Sequence, residues 1–130
     1  MSHSFDLSEV PEVQVDIGGI RKYALVDIGF PREQPIKTVL WTDYQQNQHS
    51  SIVEKIQNLV FERTREPFLK VHCAGGGLLF IREREKVINI WDYSASYGAP
   101  PLDRVEELLK KSFPDFAMAF SQPTLRSKPR

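Results

Sequence analysis

The chain has 130 residues, of which 41% are hydrophobic, and its seventeen basic residues balance seventeen acidic ones. This length suits one ordinary domain, and the zero net charge excludes a general attraction to nucleic acid or to anionic membranes. The single cysteine, Cys73, excludes an internal disulfide, and the cysteine and the histidines lack the spacing of a zinc site.

Three strands are predicted in the first third of the chain. Residues 13–17 alternate apolar and polar side chains, which is typical of a half-buried strand, and Gly18-Gly19 then predicts a turn. Residues 23–28 are apolar on both faces apart from Asp27, which indicates a central strand that is covered on both sides. Residues 39–41 predict a third strand.

A first helix is predicted from residue 51 onward. Its apolar residues recur at the spacing of one helix face; they are Ile52, Ile56, Leu59 and Val60. Ser51 and Glu54 have the spacing of a capping box at the start of that helix, and Pro67 predicts its end.

Two further strands follow this helix. Residues 68–81 predict one long strand with a bulge or bend at the glycine triplet 75–77. The charged residues 82–86 predict a hairpin connection to another strand at residues 87–91. The glycines could serve close backbone packing at the bulge, or they could open space at a pocket.

A second helix and a last strand complete the domain. Pro100-Pro101 predicts the entry to the helix, and Pro114 predicts its end. Its apolar face consists of Leu102, Val105, Leu108 and Leu109. Residues 116–120 then predict a strand. The order β-β-β-α-β-β-α-β favours an α/β (α+β) domain with a mixed six-stranded sheet and a helix from each crossover.

The predicted domain spans residues 1–130, with a core at about residues 9–121 and disordered tails at residues 1–8 and 122–130. No apolar run approaches the roughly 20 residues that span a bilayer, and the first residues lack the features of a signal peptide. We therefore expect a cytoplasmic protein with no membrane partner.

Three stretches carry motifs beyond this pattern. The first runs through Val10-Pro11-Glu12-Val13 and Gly19-Ile20-Arg21-Lys22-Tyr23, and the second is His49-Ser50-Ser51-Ile52. The third comprises Cys73-Ala74-Gly75-Gly76-Gly77, Tyr93-Ser94-Ala95-Ser96-Tyr97-Gly98 and Phe113-Pro114-Asp115-Phe116. In residue type, order and spacing, the set resembles the phosphohistidine phosphatase family, to which the janus and ocnus sex-regulated proteins belong.

The resemblance implies metal-free removal of phosphate from phosphohistidine in proteins, with no cofactor. By position, it assigns the general base to His49, a substrate contact to Lys22, and a phosphate-binding loop to Ser94, Ala95 and Ser96. The implied partner is a phosphohistidine-containing protein, and we expect a monomer that does not bind nucleic acid. The janus/ocnus branch also implies a role in sex differentiation.

The residue pattern around His49 fits this role and also a simpler one. A histidine at the positive end of a helix is disfavoured in its imidazolium form by the macrodipole, and a neutral imidazole can take a proton from water. A solvent-exposed histidine in a polar loop is the other interpretation.

The other candidate residues also have two interpretations. Residues 94–96 lie between a strand and a helix, where backbone N–H groups can converge on an anion, but an ordinary connection that caps itself fits equally. Lys22 could supply a point charge to a phosphoryl oxygen, or it could be a solvated surface lysine.

Three residues depart from the pattern of the family. Leu78 follows the glycine triplet where arginine is usual, and Trp41 stands where a basic residue is common. Asp92 replaces the glycine before Tyr93, which could bring a like charge to bound phosphate. These departures favour an alternative hypothesis, a weakened or inactive paralogue that binds a phosphorylated or acidic protein partner in sex-specific development. A scaffold without any phosphate site is the third and simplest interpretation.

Overall fold

The computed structural model describes residues 7–43 and 48–121. In these ranges the elements are β1 Val13–Gln14, β2 Ile20–Gly29, β3 Lys37–Thr42, α1 His49–Thr64, β4 Lys70–Arg82, β5 Val87–Trp91, α2 Leu102–Ser112 and β6 Ala117–Ser121. The predicted order of strands and helices is confirmed. The predicted tail residues 1–6 and 122–130 lie outside the described residues.

The strands form one mixed six-stranded sheet with the order β1-β3-β2-β4-β5-β6. The outer pairs β1/β3 and β5/β6 are parallel, and the inner pairs are antiparallel. The two longest strands, β2 and β4, lie side by side in the middle. This position explains why residues 23–28 are apolar on both faces, since the centre of the sheet is covered on both sides.

The glycine triplet forms the bulge that its composition predicts. Leu25 of β2 pairs with Gly75 and Val26 pairs with Cys73, so Ala74 is an extra residue on β4. Gly75 has a φ of 140°, and a Cβ there would lie 2.6 Å from the Cα of Pro100. Glycine is therefore required at this point of closest approach between β4 and the chain that leads into α2.

Each helix covers one face of the sheet. On one face, Ile52, Ile56 and Val60 of α1 pack with a core that includes Ala24 and Val26. On the other face, the apolar side of α2 packs with the alternate residues of the same strands; its buried side chains are Val105, Leu108 and Leu109. Each such side chain contributes about 1.5–3 kcal/mol when it is fully buried.

Asp27, the polar exception in the central strand, anchors α2 to the sheet. Arg104 of α2 donates to the Asp27 carboxylate, and it also donates to Thr38 Oγ1 at 2.6 Å. Thr38 Oγ1 donates in turn to Asp27 Oδ1 at 2.6 Å. The three partly buried groups therefore compensate one another, as a charge on a buried strand requires.

Helix α1 begins earlier than predicted. Its N-cap is Gln48, which makes no side-chain capping bond, and His49 is the first helical residue. The capping box predicted at Ser51 and Glu54 is therefore wrong, because these residues lie inside the first turns. Among the described residues, no helix has both the length and the apolar composition that crossing a membrane requires.

The core extends slightly beyond the predicted N-terminal boundary near residue 9. Leu7 is only 7% exposed, and Val10 is fully buried. The Leu7 carbonyl also accepts a 2.8 Å hydrogen bond from Lys37 Nζ. These contacts fix the chain before β1 against β3.

Candidate active site

The ring of His49 lies over the glycine triplet of β4. It is half-buried, and its Nε2 lies 3.1 Å from the carbonyl oxygen of Gly77. Because a carbonyl oxygen can only accept a hydrogen bond, Nε2 carries the hydrogen in this contact. In the neutral ring Nδ1 then keeps its lone pair, so His49 is held in the tautomer that can accept a proton at Nδ1.

The space for this ring exists only because residue 76 is glycine. A Cβ on Gly76 would lie 2.6 Å from His49 Cδ2 and 2.5 Å from the Tyr23 carbonyl oxygen. Gly76 thus opens room for the imidazole, while its neighbour Gly77 supplies the carbonyl that orients it. Both alternatives left open for the triplet hold, since Gly75 forms the bulge and the other two glycines shape the cleft.

The pKa of His49 is lowered from its ordinary value. Burial is the largest cause, and the positive charge of Lys22 lowers the pKa further. The bond to the Gly77 carbonyl and the negative charge of Asp92 oppose this shift. Burial therefore favours the neutral form of the ring, in addition to the helix macrodipole to which its neutrality was ascribed from the sequence.

Lys22 lies on β2 and reaches the same cleft as His49. It pairs across the sheet with Leu78, and its side chain is exposed. Within residues 7–43 and 48–121, no carboxylate forms an ion pair with it. Its ammonium group is therefore available to an anion in the cleft.

The loop after β5 is held together by Ser94. This residue is 2% exposed, and its N–H donates to the Gly76 carbonyl oxygen at 2.9 Å. Its Oγ accepts hydrogen bonds from the N–H groups of Ser96 at 3.2 Å and Tyr97 at 3.1 Å. The loop is thus a tight serine turn tied to the glycine triplet.

This turn changes the expected set of phosphate donors. From the sequence, consecutive N–H groups of residues 94–96 were expected to converge on an anion, but those of Ser94 and Ser96 are engaged within the protein. Among the described residues, the N–H of Ala95 and the hydroxyl of Ser96 have no such partner, and both residues are exposed. A bound anion would therefore meet fewer free donors than predicted.

The five predicted site residues line one cleft of about 470 Å³; they are Lys22, His49, Ser94, Ala95 and Ser96. Gln48, Ser50 and Tyr93 border it as well, although no role was assigned to them from the sequence. Ser50 and Tyr93 stand within the motifs of the resemblance, whereas the only signal for Gln48 was its position next to His49. In the part of the chain that the structure describes, no group of three or more His, Cys, Asp or Glu side chains is placed to hold a metal ion.

A larger cleft of about 730 Å³ lies beside α2 and β3. Its cationic groups are already engaged: Arg104 with Asp27, Lys111 with Glu12, and Lys37 with a backbone carbonyl. Among the residues that the structure describes, no histidine lines this cleft. The smaller cleft at His49 is therefore the better candidate for a reactive site.

Two of the three departures from the family pattern lie in the cleft at His49. Leu78 and Asp92 line it, and Asp92 adopts a φ of 69°, the left-handed region that a glycine would favour. Trp41 is instead 2% exposed, packs in the core beneath α1, and donates from Nε1 to the Pro11 carbonyl at 2.8 Å. The expectation that Trp41 removes charge from the site is therefore wrong.

His72 and Cys73 lie on β4 and do not line the cleft. His72 is exposed on this strand, and Cys73 is buried. Burial raises the pKa of the Cys73 thiol, which keeps it protonated at neutral pH. His72 therefore provides a natural control for His49.

A mixed sheet between two helices, with a neutral histidine, a free lysine and a serine turn around one cleft, has the features expected of a phosphohistidine-phosphatase-like protein. The family model described as "Janus/Ocnus family (Ocnus)" matches residues 7–117. The chain belongs to the Janus/Ocnus family.

Curated relatives agree over almost the whole length. The chain is 24% identical over 130 residues to the 14 kDa phosphohistidine phosphatase of Sus scrofa, covering 93% of this chain and 97% of that protein. The protein of the same name from Homo sapiens is 24% identical over 125 residues, covering 89% and 94%. The sex-regulated protein janus-A of Drosophila melanogaster is 26% identical over 119 residues, covering 88% and 82%.

Proposed function

We propose that this protein is a metal-independent protein phosphohistidine phosphatase with His49 as its general base. The observation that carries the proposal is the 3.1 Å contact between His49 Nε2 and the Gly77 carbonyl oxygen. It leaves Nδ1 as the basic atom of a neutral ring, in a cleft shared with Lys22 and the serine turn. A neutral base beside an anion-binding group is what hydrolysis of a phosphoryl group requires.

The phosphoryl group would bind between Lys22 and the loop at residues 94–96. The Lys22 ammonium attracts its negative charge, while the Ala95 N–H and the Ser96 hydroxyl supply hydrogen bonds. Catalysis of this reaction depends mainly on positioning and on electrostatic stabilisation, since phosphoryl transfer leaves the protein little covalent chemistry to perform.

In the reaction, a water oxygen forms a bond to phosphorus as the phosphorus–nitrogen bond of the substrate breaks. His49 Nδ1 takes a proton from that water. The electron pair of the broken bond stays on the substrate imidazole nitrogen, which takes up a proton from solvent as it leaves. The products are inorganic phosphate and an unmodified histidine, and His49 returns its proton to solvent.

The relatives support the choice of substrate. Two of them carry the name 14 kDa phosphohistidine phosphatase, which fits a phosphohistidine-containing protein as the substrate here. The name of janus-A, a sex-regulated protein, supports a role in sex differentiation. We propose that the protein acts in the cytoplasm as a monomer.

The test is phosphate release from a phosphohistidine peptide by the wild type and by His49→Ala. The proposal predicts turnover by the wild type and loss of turnover in the variant, with the fold intact by circular dichroism. Equal rates in the two proteins would remove His49 as the base.

A second candidate function is a non-catalytic module that binds a phosphorylated or acidic protein partner. Two residues of the cleft favour it, because Leu78 offers no charge to phosphate and Asp92 repels it. The same assay separates the two functions. Saturable binding of the phosphopeptide without turnover supports the module, and turnover supports the enzyme.

A further inference from the structure

Four large apolar side chains form a continuous patch on the sheet next to the cleft; they are Ile20, Leu78, Phe80 and Trp91, and we call this patch the apolar face. The strand register brings them together. Ile20 pairs with Phe80 across β2 and β4, and Leu78 pairs with Trp91 across β4 and β5. Directly paired residues project to the same side of a sheet, so the four side chains share one side.

This side of the sheet is the one that α1 covers farther along the strands. Gly76, which lies beneath the His49 ring, is two residues before Leu78 on β4 and therefore projects to the same side. Helix α1 packs on β2 and β4, in a cluster that includes Ala24, Val26 and Cys73 of these strands. Among the described residues, the hydrophobic cluster to which the buried side chains of α1 belong includes none of the four residues of the apolar face.

The apolar face is not needed for either core. None of its four residues belongs to the core beneath α1 or to the core beneath α2. The other side of the same strands already supplies the core beneath α2, through Leu79, Ile81, Ile88 and Ile90. Ile20 is 58% exposed, and the other three side chains are partly exposed.

A sheet with one solvated side normally presents polar residues there. Contiguous apolar side chains that stay partly exposed, as Leu78, Phe80 and Trp91 do beside the exposed Ile20, instead mark a surface that another molecule can cover. The apolar face is continuous with the cleft, because Leu78 lines the cleft and is also a member of the face. A peptide that places one residue in the cleft can therefore lay its neighbouring residues on the apolar face.

Two basic residues stand at the two ends of the apolar face, although Asp92 also lines the cleft end. Lys22, which pairs with Leu78, stands at the cleft end. Arg82 stands at the far end, with its Cζ 5.7 Å from the centre of the Phe80 ring. Its ion pair with Glu85 is long, at 3.8 Å, and both side chains are about half exposed, so the guanidinium remains open to a further partner.

The spacing also suits a peptide. Phe80 lies about 7 Å beyond Leu78 along β4, which an extended peptide spans with about two residues. A phosphohistidine whose phosphoryl group reaches Lys22 would place its own backbone at the rim of the cleft. Residues about two to four positions away along the peptide would then lie on Leu78, Phe80 and Ile20.

We infer that the apolar face docks the substrate protein through apolar residues that flank its phosphohistidine. This inference rests on the proposed function, since it assumes a phosphohistidine in the cleft. It adds a specificity that the cleft alone would not have. It also explains the leucine at position 78, because Leu78 extends the apolar contact that an arginine there would interrupt.

The test compares two phosphohistidine peptides that differ only in having leucine or serine at the flanking positions, with phosphoramidate as a small substrate. We expect the wild type to prefer the leucine peptide by roughly tenfold in kcat/KM, as the burial of one or two aliphatic side chains allows. Ile20→Ser and Phe80→Ser should each reduce this preference and leave phosphoramidate hydrolysis unchanged. Ile36→Ser, which alters an isoleucine that is 47% exposed outside the apolar face, should keep the preference.

Several results would overturn the inference. The wild type could show no preference between the two peptides, or Ile20→Ser could slow phosphoramidate hydrolysis as much as peptide hydrolysis. Dimers of the wild type that Ile20→Ser dissociates in sedimentation would show that a second copy covers the face. A leucine preference that is absent in the wild type and present in Leu125→Ser would assign the face to the C-terminal residues of this chain.

Failure of the proposed function remains distinguishable from failure of this inference. If neither phosphoramidate nor the peptides are hydrolysed, the hydrolytic function fails, and binding of the two phosphopeptides by fluorescence anisotropy still tests the docking. Tighter binding of the leucine peptide that Ile20→Ser removes would support the face, whereas equal binding of both peptides would overturn it.

Discussion

The ring of His49 occupies the space that a side chain on Gly76 would take, with its Cδ2 atom 2.6 Å from the position of a Cβ on that residue. The next residue, Gly77, then accepts the hydrogen bond that fixes the ring. A reactive tautomer is thus set by the backbone of the central strand and by the absence of one side chain.

Gly76→Ala should displace the His49 ring. The new Cβ would also lie 2.5 Å from the Tyr23 carbonyl oxygen, so the strand pair must shift too. We expect a loss of about 1–3 kcal/mol in the free energy of unfolding, from overpacking. Because a misplaced catalytic group is costly, we expect a roughly 100-fold lower kcat/KM on a phosphohistidine peptide.

Gly29→Ala is the matched control for this prediction. Its Cβ would lie 3.2 Å from the Pro35 Cα, in a loop away from the cleft. It should cost some stability and leave the rate unchanged. Urea unfolding and the hydrolysis assay measure the two effects, and an unchanged rate in Gly76→Ala would contradict the assigned position of the ring.

The charges around His49 should move its pKa in opposite directions. Lys22 lowers this pKa and Asp92 raises it, so Lys22→Gln should raise the pKa toward about 6.5 and Asp92→Asn should lower it further. A titration of the imidazole protons by NMR measures both shifts. Shifts of the same sign would show that these charges do not act on the ring as the structure indicates.

The same shift predicts the pH dependence of hydrolysis. A general base must be unprotonated, so activity is present above the pKa of His49 and is lost as the pH falls through it. Because burial lowers this pKa, the acid limb of kcat/KM should have its midpoint below about 6.5. A midpoint well above that value would assign the limb to another group.

Leu78→Arg should strengthen the binding of phosphate. The guanidinium would stand opposite Lys22 at the edge of the cleft, where a partly exposed charge contributes about 1–2 kcal/mol. We therefore expect inorganic phosphate to inhibit the variant roughly 5- to 30-fold more strongly. Leu78→Gln, which adds polarity without charge, is the control and should change phosphate inhibition little.

Tyr23→Phe should stabilise the domain. The Tyr23 side chain is fully buried, and among the described residues its hydroxyl has no hydrogen-bond partner. Burial also raises the pKa of this phenol, in keeping with an apolar environment. Removing an unpaired buried hydroxyl should raise the free energy of unfolding by about 1 kcal/mol.

Tyr93→Phe is the control for that substitution, because Tyr93 is 41% exposed and its hydroxyl can bind water. Thermal unfolding measures both variants. A lower melting temperature for Tyr23→Phe would indicate that the hydroxyl has a partner in solution.

The strands and helices could be predicted because burial leaves a clear pattern in the sequence. Residues 23–28 lie within the central strand Ile20–Gly29, and the glycine triplet marks the bulge. The first strand was predicted over residues 13–17, but it is only Val13–Gln14. Just after this strand, the N–H of Asp16 donates to a side-chain oxygen, Thr42 Oγ1, at 2.7 Å. A pattern of hydrophobicity in the sequence does not reveal a hydrogen bond of this kind.

The candidate site was predictable in its residues but not in its geometry. The resemblance to a family identified His49, Lys22 and the loop at residues 94–96, and these line one cleft. The Ser96 N–H could donate to Ser94 Oγ or to a bound anion. It donates to Ser94 Oγ, and the sequence alone does not predict which of the two partners it takes. The position of Trp41 was predicted wrongly for a related reason. The residue type does not show whether such a side chain packs into the core or faces the cleft.

The most direct test of the proposed mechanism is the rate of phosphate release from a phosphohistidine peptide by the wild type, His49→Ala and His72→Ala at pH 7. Both substitutions remove one imidazole, but only His49 lies in the cleft with Lys22. The mechanism predicts that His72→Ala retains the wild-type rate and that His49→Ala has none above background. Equal activity in all three proteins would contradict it.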